Sequence, residues 1–398
     1  MDDIGLEIRD PLIASFDAHP NIEVRVFNPF SIRNSRALNF LVDFDLVNHR
    51  MHNKTFVIDN SLVIIGGRNI GDNYFGVDKE MNFRDLDILG VGPIAREIST
   101  VYDYFWNGKW SVPIKALVEK TYAQEELKNA SALMAQKIAK DNYPYPLTSD
   151  VKKLRSQMKT MRNNLVWAPG KFVWNDPKQM TLSEDQQQGT ILHKLHKKLT
   201  MVNKNMYIES PYFIPRKKGT SILKEMHDRG VKIRILTNSQ SSNDVSAAFS
   251  GYAIYRKELV SAGIEMYELR PDAGGNLIIN KKTNLAEVHS GLHAKAFVFD
   301  EETVFIGSFN LDPRSAAINT EGGLYIESPT IAKRVLAYMH EGVKPENAYR
   351  LTLDKYGDLL WTAETDGKQE VYHKDPQTSG WDRFKVDLMQ VMPIEDQL

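Results

Sequence analysis

Residues 49–69, HRMHNKTFVIDNSLVIIGGRN, and residues 290–310, SGLHAKAFVFDEETVFIGSFN, are two versions of one pattern. In each, Lys follows His by two positions, Asp by seven, Gly by fourteen and Asn by seventeen. The first version carries His52, Lys54, Asp59, Gly66 and Asn69; the second carries His293, Lys295, Asp300, Gly307 and Asn310. Five matched positions at a separation of 241 residues mark an internal duplication. Phe56 and Ile58 fall on one face and Thr55 and Val57 on the other, before a turn at Asp59-Asn60 and a second apolar run, Leu62 to Ile65. Ala296 to Phe299, Asp300-Glu301-Glu302 and Thr303 to Ile306 repeat that order, so each version predicts a β-hairpin. Residues two apart on a strand share a face, which aims His52 with Lys54 and His293 with Lys295.

The likeness extends upstream. IEVRVFNPF from Ile22 matches IEMYELRPD from Ile264, and the helical pattern of Ile4 to Ala18 matches Val245 to Ala262. The second version has more before it: a strand pattern at Met206 to Ile214, a helix at Thr220 to Arg229 stopped by Gly230, and a strand at Val231 to Thr237. The first has no counterpart to these roughly 37 residues, and the expectation is a first half lacking its opening strands. Between the versions, Lys115 to Lys140 is polar and helix-prone, Asp141 to Asp150 is a Pro-punctuated linker, and Val151 to Asn164 is a basic helix candidate. Leu165 to Trp174 reads as a strand or loop. Beyond Glu327, Ile331 to His340 is helix-like and Arg350 to Trp361 suggests a hairpin. Ser379 to Met392 sets Trp381, Phe384, Leu388, Val391 and Met392 at helical spacing, a stripe expected to pack on the protein's own surface. The expected organisation is a first half over 1–165, with a helical linker from about 115, and a second half over 166–398 with a C-terminal extension.

The chain has 398 residues, 42% apolar and 25% charged, an ordinary globular composition too long for one small core. Lys+Arg 50 against Asp+Glu 51 leaves a formal charge of −1. No global positive field therefore draws in nucleic acid, and phosphate chemistry needs local basic groups. Zero cysteines exclude disulfides, thiolate metal sites and Cys nucleophiles. No apolar run reaches the roughly 18–20 residues of a membrane-spanning helix, and the acidic start MDDIGLEIRD does not read as a secretory signal. The expectation is a soluble or peripheral protein.

A His sharing a strand face with a Lys is a poor metal site, because the ammonium has no lone pair and repels a cation. It suits a phosphate: lysine charges a non-bridging oxygen while imidazole attacks phosphorus or hands a proton to the leaving oxygen. Two such pairs facing each other supply a nucleophile and a general acid for one phosphodiester, with no metal or cofactor expected. Asn69, Ser308 and Asn310 on the return strands can donate to phosphate oxygens. A neutral nucleophilic His needs its far nitrogen held by a carboxylate. The next strand of each version offers one: Asp85, with Asp87 a near competitor, and Glu321. Asp85 and Glu321 each stand seven residues before a strand end, Gly92 or Ser328.

With both H-x-K-x4-D motifs intact and followed by Gly66, Gly67 and Asn69 or by Gly307, Ser308 and Asn310, the sequence resembles the phospholipase D superfamily. The strings MHNKTFVID, GGRNIGDNYFG, RDLDILGVGP, LTNSQSSNDV, SGYAIYRKELV, LHAKAFVFD and IGSFNLDPRSAAINTE resemble bacterial cardiolipin synthases of the C type, over essentially the whole chain. The resemblance implies an α/β fold of two pseudo-twofold related halves, each a mixed β-sheet flanked by helices, with the active site at their interface. It implies that His52 forms a phosphohistidine, that His293 protonates the leaving alcohol, and that Lys54, Lys295, Asn69 and Asn310 hold the phosphate. Asp85 and Glu321 match the carboxylates that orient the histidines. Asp59 and Asp300 complete the catalytic motif, although their strand-end positions suit structural partners better than direct catalysts. The implied activity joins two phospholipids, phosphatidylglycerol with phosphatidylethanolamine or with a second phosphatidylglycerol, into cardiolipin. The implied setting is peripheral contact with the membrane surface on the cytoplasmic side of the bacterial inner membrane.

Other outcomes stay open at this stage. Water as acceptor would make the same site a phospholipase, and a nucleic-acid diester would make it a nuclease, which the balanced charge disfavours. An unpaired sheet edge would make the chain an inactive fragment. Arg68 and Arg314 flank the asparagines and suit phosphate contact or a salt bridge equally. Tyr74 and Phe75 line a substrate channel or, as aromatics after a turn more often do, join the core. The basic run His193-Lys194-Leu195-His196-Lys197-Lys198 meets anionic lipid or, the favoured reading, forms a solvated helix face.

Overall fold

Both hairpins form where the alternation places them. The computed structural model describes residues 1–3, 10–33, 35–118, 124–140, 150–178, 182, 189–273 and 288–398. The expected linker at 141–149 and residues 4–9 of the expected Ile4 to Ala18 helix lie outside these described residues. The chain opens with α1 (Asp10–Asp17), β1 (Arg25–Phe27), α2 (Arg36–Val42) and α3 (Phe44–Asn48). The first hairpin is β2 (Thr55–Ile58) and β3 (Leu62–Gly66), followed by β4 (Met81–Arg84), β5 (Asp87–Val91), α4 (Pro93–Trp106) and β6 (Ser111–Pro113). β3 pairs antiparallel with β2 and β5, and β1 pairs with β6.

Helices α5 (Gln124–Lys140) and α6 (Val151–Asn163) lead to β7 (Gly170–Trp174), α7 (Ile191–Leu199), β8 (Asn205–Glu209) and α8 (Arg216–Asp228). Then come β9 (Lys232–Asn238), α9 (Ser246–Ser261), β10 (Glu265–Leu269) and β11 (His289–Leu292). The second hairpin is β12 (Ala296–Phe299) and β13 (Thr303–Gly307), with β14 (Gly322–Glu327) beside it. A helix at Pro329–Gly342 precedes β15 (Ala348–Leu353), β16 (Leu359–Thr365) and β17 (Lys368–Tyr372). Ten strands form one mixed sheet in the order β17-β16-β15-β10-β9-β8-β12-β13-β14-β7. It is parallel across β8, β9 and β10 and antiparallel elsewhere.

The same hairpin pattern meets two environments. β12 lies between β8 and β13 and is buried throughout. Its Phe297 and Phe299 join Met206, Ile208 and Phe305 in one core, and its Ala296 and Val298 join Val335, Leu336 and Met339 in another. Burial on both faces is what a continuous apolar strand requires. β2 has no strand beyond β3 among the described residues, and Phe56 is 58% exposed. Both hairpins turn through two consecutive residues of positive φ, Asp59 (48°) and Asn60 (53°), and Asp300 (53°) and Glu301 (61°). That is the geometry that lets a two-residue turn follow the twist of its strands, and Asp and Asn tolerate it.

The two repeats interlock. β4 pairs in parallel with β11, and Met51 bridges Thr320. The carbonyl of Arg84 accepts the backbone N–H groups of both His293 and Ala294. The Arg84 side chain is buried, stacks 3.6 Å from the Tyr338 ring centroid, and lies 3.2 Å from Glu209 Oε1 on β8. Burial pushes the Glu209 carboxyl up to about 7 despite Arg84. Arg84→Met strands that carboxylate without a partner and is expected to cost about 3–5 kcal/mol. The loss should be largest at pH 8 and shrink toward pH 6, where Glu209 takes up a proton. Urea unfolding at the two pH values reads it, and an equal loss at both would break the assignment to Glu209.

One expectation fails at the C-terminus. The helix Gly380–Gln390 forms, held by a capping box between Ser379 and Asp382, but Val386 is the residue that turns inward. Trp381 (65%), Phe384 (53%) and Leu388 (52%) stay exposed, so the apolar stripe does not pack on the protein's own surface. Among the described residues, no helix is long and apolar enough to cross a membrane.

Candidate active site

The two motif histidines reach across the repeats for their carboxylates. His52 Nδ1 lies 2.9 Å from both Glu321 oxygens, and His293 Nδ1 lies 2.8 Å from Asp85 Oδ2. Register explains why these two acids are equivalent. Gly66 pairs with Asp87 and Gly307 with Gly323, so Asp85 and Glu321 each stand two residues ahead of the matched position. The β4–β11 and Met51–Thr320 contacts bring the other repeat's histidine to each of them. The motif glycines permit the approach: a Cβ on Gly66 would sit 2.1 Å from Asp87 Oδ1, and one on Gly307 would sit 2.3 Å from the Gly322 carbonyl. With Nδ1 engaged, Nε2 of each ring is the nitrogen left for chemistry.

The lysines repeat each other as well. Lys54 Nζ donates to the His52 carbonyl at 2.8 Å, and Lys295 Nζ donates to the His293 carbonyl at 2.6 Å. Burial pushes Lys54 down to about 7 and Lys295 to about 8, with Glu321 and Asp85 opposing the fall. His52 is lowered by burial, against Glu321, and His293 is lowered well below 6.5 by burial together with Lys295, Lys54 and His52. Asp85 is raised by burial to about 6. Glu321 moves the other way: burial raises it, but His52, Lys54 and its hydrogen bonds more than offset that. The site thus holds two imidazoles biased toward neutrality beside two lysines, an arrangement suited to a phosphate anion.

These shifts set a pH profile. For the free protein, kcat/KM needs one histidine neutral and the other protonated, so it should peak below 6.5, where both titrate, and fall further at about 7 to 8 as Lys54 and Lys295 deprotonate. A bound phosphodiester favours the charged form of every one of these groups, so both limbs of kcat should lie at higher pH than those of kcat/KM. A kcat/KM profile flat to pH 9 would remove the lysines from the account.

Around this centre the other expected residues divide. Asn69 donates to the Tyr74 hydroxyl at 2.7 Å, and Asn310 is buried with its Oδ1 lacking a partner. Ser308 is a correction: its one hydroxyl proton goes to Glu321 Oε2, and its oxygen accepts the Gly322 N–H, so it supports Glu321 and has no proton for a phosphate. Asp59 and Asp300 take the structural reading and leave the catalytic set. Both occupy the hairpin turns, away from the histidine ends of the strands, and the Asp300 carboxylate accepts the N–H groups of Asn203, Lys204 and Asn205. Asp87 pairs with Arg68 at 2.6 Å, which leaves Asp85 to His293. Arg314 binds the Asn48 side chain and carbonyl. Arg68 thus takes the salt-bridge reading, while Arg314 is engaged by Asn48. Tyr74 leaves the core reading, since its ring meets that of His293 edge-on at 4.9 Å.

Sequence reasoning missed Ser315, whose hydroxyl donates to Glu321 Oε1 at 2.7 Å, and Phe83, whose ring lies 5.3 Å from that of His293. Ser315 lies outside the repeated offsets, so the duplication carried no signal for it. Phe83 lies two residues before Asp85, and the strand rule would place it on the same face.

Comparison with known proteins gives the family. A family model described as cardiolipin synthase, PLD-like domain matches residues 180–342. Cardiolipin synthase C of Escherichia coli (strain K12) is 35% identical over 411 aligned residues, covering 99% of this chain and 83% of that protein. An uncharacterized protein of Helicobacter pylori (strain ATCC 700392 / 26695) is 34% identical, covering 99% of this chain and 77% of its own length. The crystal structure of phosphatidylserine synthase from Haemophilus influenzae Rd KW20 shares the fold with a TM-score of 0.52 at 14% identity, over 88% of this chain and 71% of that one. The paired His-Lys hairpins and the crossed carboxylates define a phospholipase D-like fold. The chain belongs to the cardiolipin synthase-like phosphatidyltransferases of that superfamily.

Proposed function

We propose that this enzyme makes cardiolipin from two phospholipids, phosphatidylglycerol with phosphatidylethanolamine or with a second phosphatidylglycerol. The observation that carries the mechanism is the crossed pair of His-carboxylate contacts, with the buried Lys295 and the half-buried Lys54 in one site. His52 Nε2 attacks the phosphorus of the first lipid. The bond to the headgroup oxygen breaks as His293 gives that oxygen a proton, and a phosphatidyl-histidine remains. Glu321 stabilises the positive charge that appears on His52. His293, now neutral, takes the proton of a hydroxyl on the second lipid, whose oxygen displaces His52 and completes cardiolipin. Lys54, Lys295, Asn69 and Asn310 hold the phosphate oxygens throughout, and Asp85 keeps the His293 tautomer. The enzyme works at the membrane surface, in peripheral contact on the cytoplasmic side of the bacterial inner membrane.

Incubation with phosphatidylglycerol vesicles, with and without phosphatidylethanolamine, followed by identification of the lipid products, tests this. Cardiolipin is expected, with glycerol released from phosphatidylglycerol alone and ethanolamine released when phosphatidylethanolamine is the donor. Phosphatidic acid as the sole product, or cleavage of added DNA, would sink the proposal.

A further inference from the structure

A cavity of about 320 Å³ lies between α7 and α8 on one face of the large sheet. Its volume falls in the roughly 300–1,000 Å³ range of ligand sites. The floor is apolar, formed by Met206, Leu223, Phe297, Phe299 and Phe309. The mouth is basic: His193 and His196 on α7 face Arg216 and Lys218 on α8. Helix α7 continues that character with Lys194, Lys197 and Lys198 and contains no acidic residue. The inner wall is formed by Leu311, Asp312, Pro313 and Ala316, in the segment that carries Asn310 and Ser315. An occupant would therefore share a wall with the catalytic centre without entering it.

We propose that this cavity binds one acyl chain of an anionic phospholipid, with the headgroup phosphate against the basic mouth. Charge complementarity selects the occupant: an apolar chain fits the floor, and a phosphate fits the imidazoles, ammonium and guanidinium at the rim. Arg216 also pairs with Asp396, so Lys218 and the two histidines supply the remaining basic groups. The site is separate from His52, and its occupancy does not depend on phosphatidyl transfer.

The test uses the full chain carrying His52→Ala, which keeps binding apart from turnover. Dansylaminoundecanoic acid should bind once per chain with blue-shifted emission, and oleoyl-lysophosphatidylglycerol should displace it about 10-fold more readily than oleoyl-lysophosphatidylcholine. Ile222→Trp fills the cavity from its half-buried wall and should weaken the probe at least about 10-fold at an unchanged melting temperature. Lys218→Glu with His193→Glu should keep acyl binding and abolish the preference for the anionic lysolipid. Probe binding indifferent to Ile222→Trp, or a preference that survives the charge reversal, overturns the proposal. Displacement by oleate but not by the anionic lysolipid would assign the cavity to a free fatty acid and overturn it as well. Absence of cardiolipin synthesis by the unsubstituted chain, with probe binding intact, would count against the catalytic reading alone.

Discussion

His52→Ala abolishes transfer for every lipid donor, by at least about 10⁴-fold, whereas His293→Ala is rescued by a donor whose leaving group needs no proton. The asymmetry follows from the proposed roles. A nucleophile has no substitute in the site, because the other neutral imidazole is held by Asp85 in the other half of the reaction. A general acid contributes about 10²–10⁴-fold, and that contribution is spent on protonating a poor leaving group such as an alkoxide. A phosphatidyl p-nitrophenyl ester leaves as a stable anion, so His293→Ala should form the intermediate from it at a near-normal rate. The protein should then retain radiolabelled phosphatidyl phosphate through denaturation in base and lose it in acid, as a phosphohistidine does. Second-step transfer stays slow, since the incoming hydroxyl still needs a base. Rescue of His52→Ala by the same ester, with His293→Ala unrescued, would exchange the two roles. Rescue of neither would remove the acid from the first step.

The sequence carried the two hairpins because two independent periodicities agreed in both: strand alternation within each, and fixed offsets between them. It carried the equivalence of Asp85 and Glu321 for the same reason, and the strand register repeats it. What it could not carry was the crossing of the pairs. Strand order along one repeat says nothing about which histidine faces a carboxylate once β4 lies beside β11 and Met51 beside Thr320. Ser308 was misread for a related reason: a hydroxyl beside a phosphate-binding Asn looks like a donor until its single proton is traced to Glu321. The motif aspartates were legible as turn residues from position alone, and the positive φ values at Asp59 and Asp300 show why Asp suits the place. The outward face of Trp381 and Phe384 was not legible, because helical spacing defines a stripe without saying what lies against it.

The crossing itself has the second large consequence. Glu321→Gln should reproduce the loss of His52, and Asp85→Asn should reproduce the loss of His293. Replacing the carboxylate behind a catalytic histidine removes the charge that stabilises imidazolium and admits the wrong tautomer, at a cost of up to about 10⁴-fold. Behind His52 that cost falls on formation of the covalent intermediate, so the p-nitrophenyl ester should not rescue Glu321→Gln. Behind His293 it falls on proton delivery, so the ester should rescue Asp85→Asn. Pairing within each repeat would give the opposite pattern, with Asp85→Asn unrescued and Glu321→Gln rescued. Melting temperatures separate function from folding, which matters most for Glu321, buried and bonded also to Ser308 and Ser315. A double variant adds a further check: with His52→Ala already present, Glu321→Gln should cost almost nothing more, because residues that act as one unit are not additive. With His293→Ala present and the ester as donor, Glu321→Gln should still exact its full cost. Equal further losses in both backgrounds would mean that Glu321 serves the two histidines alike, and the crossed assignment would fall.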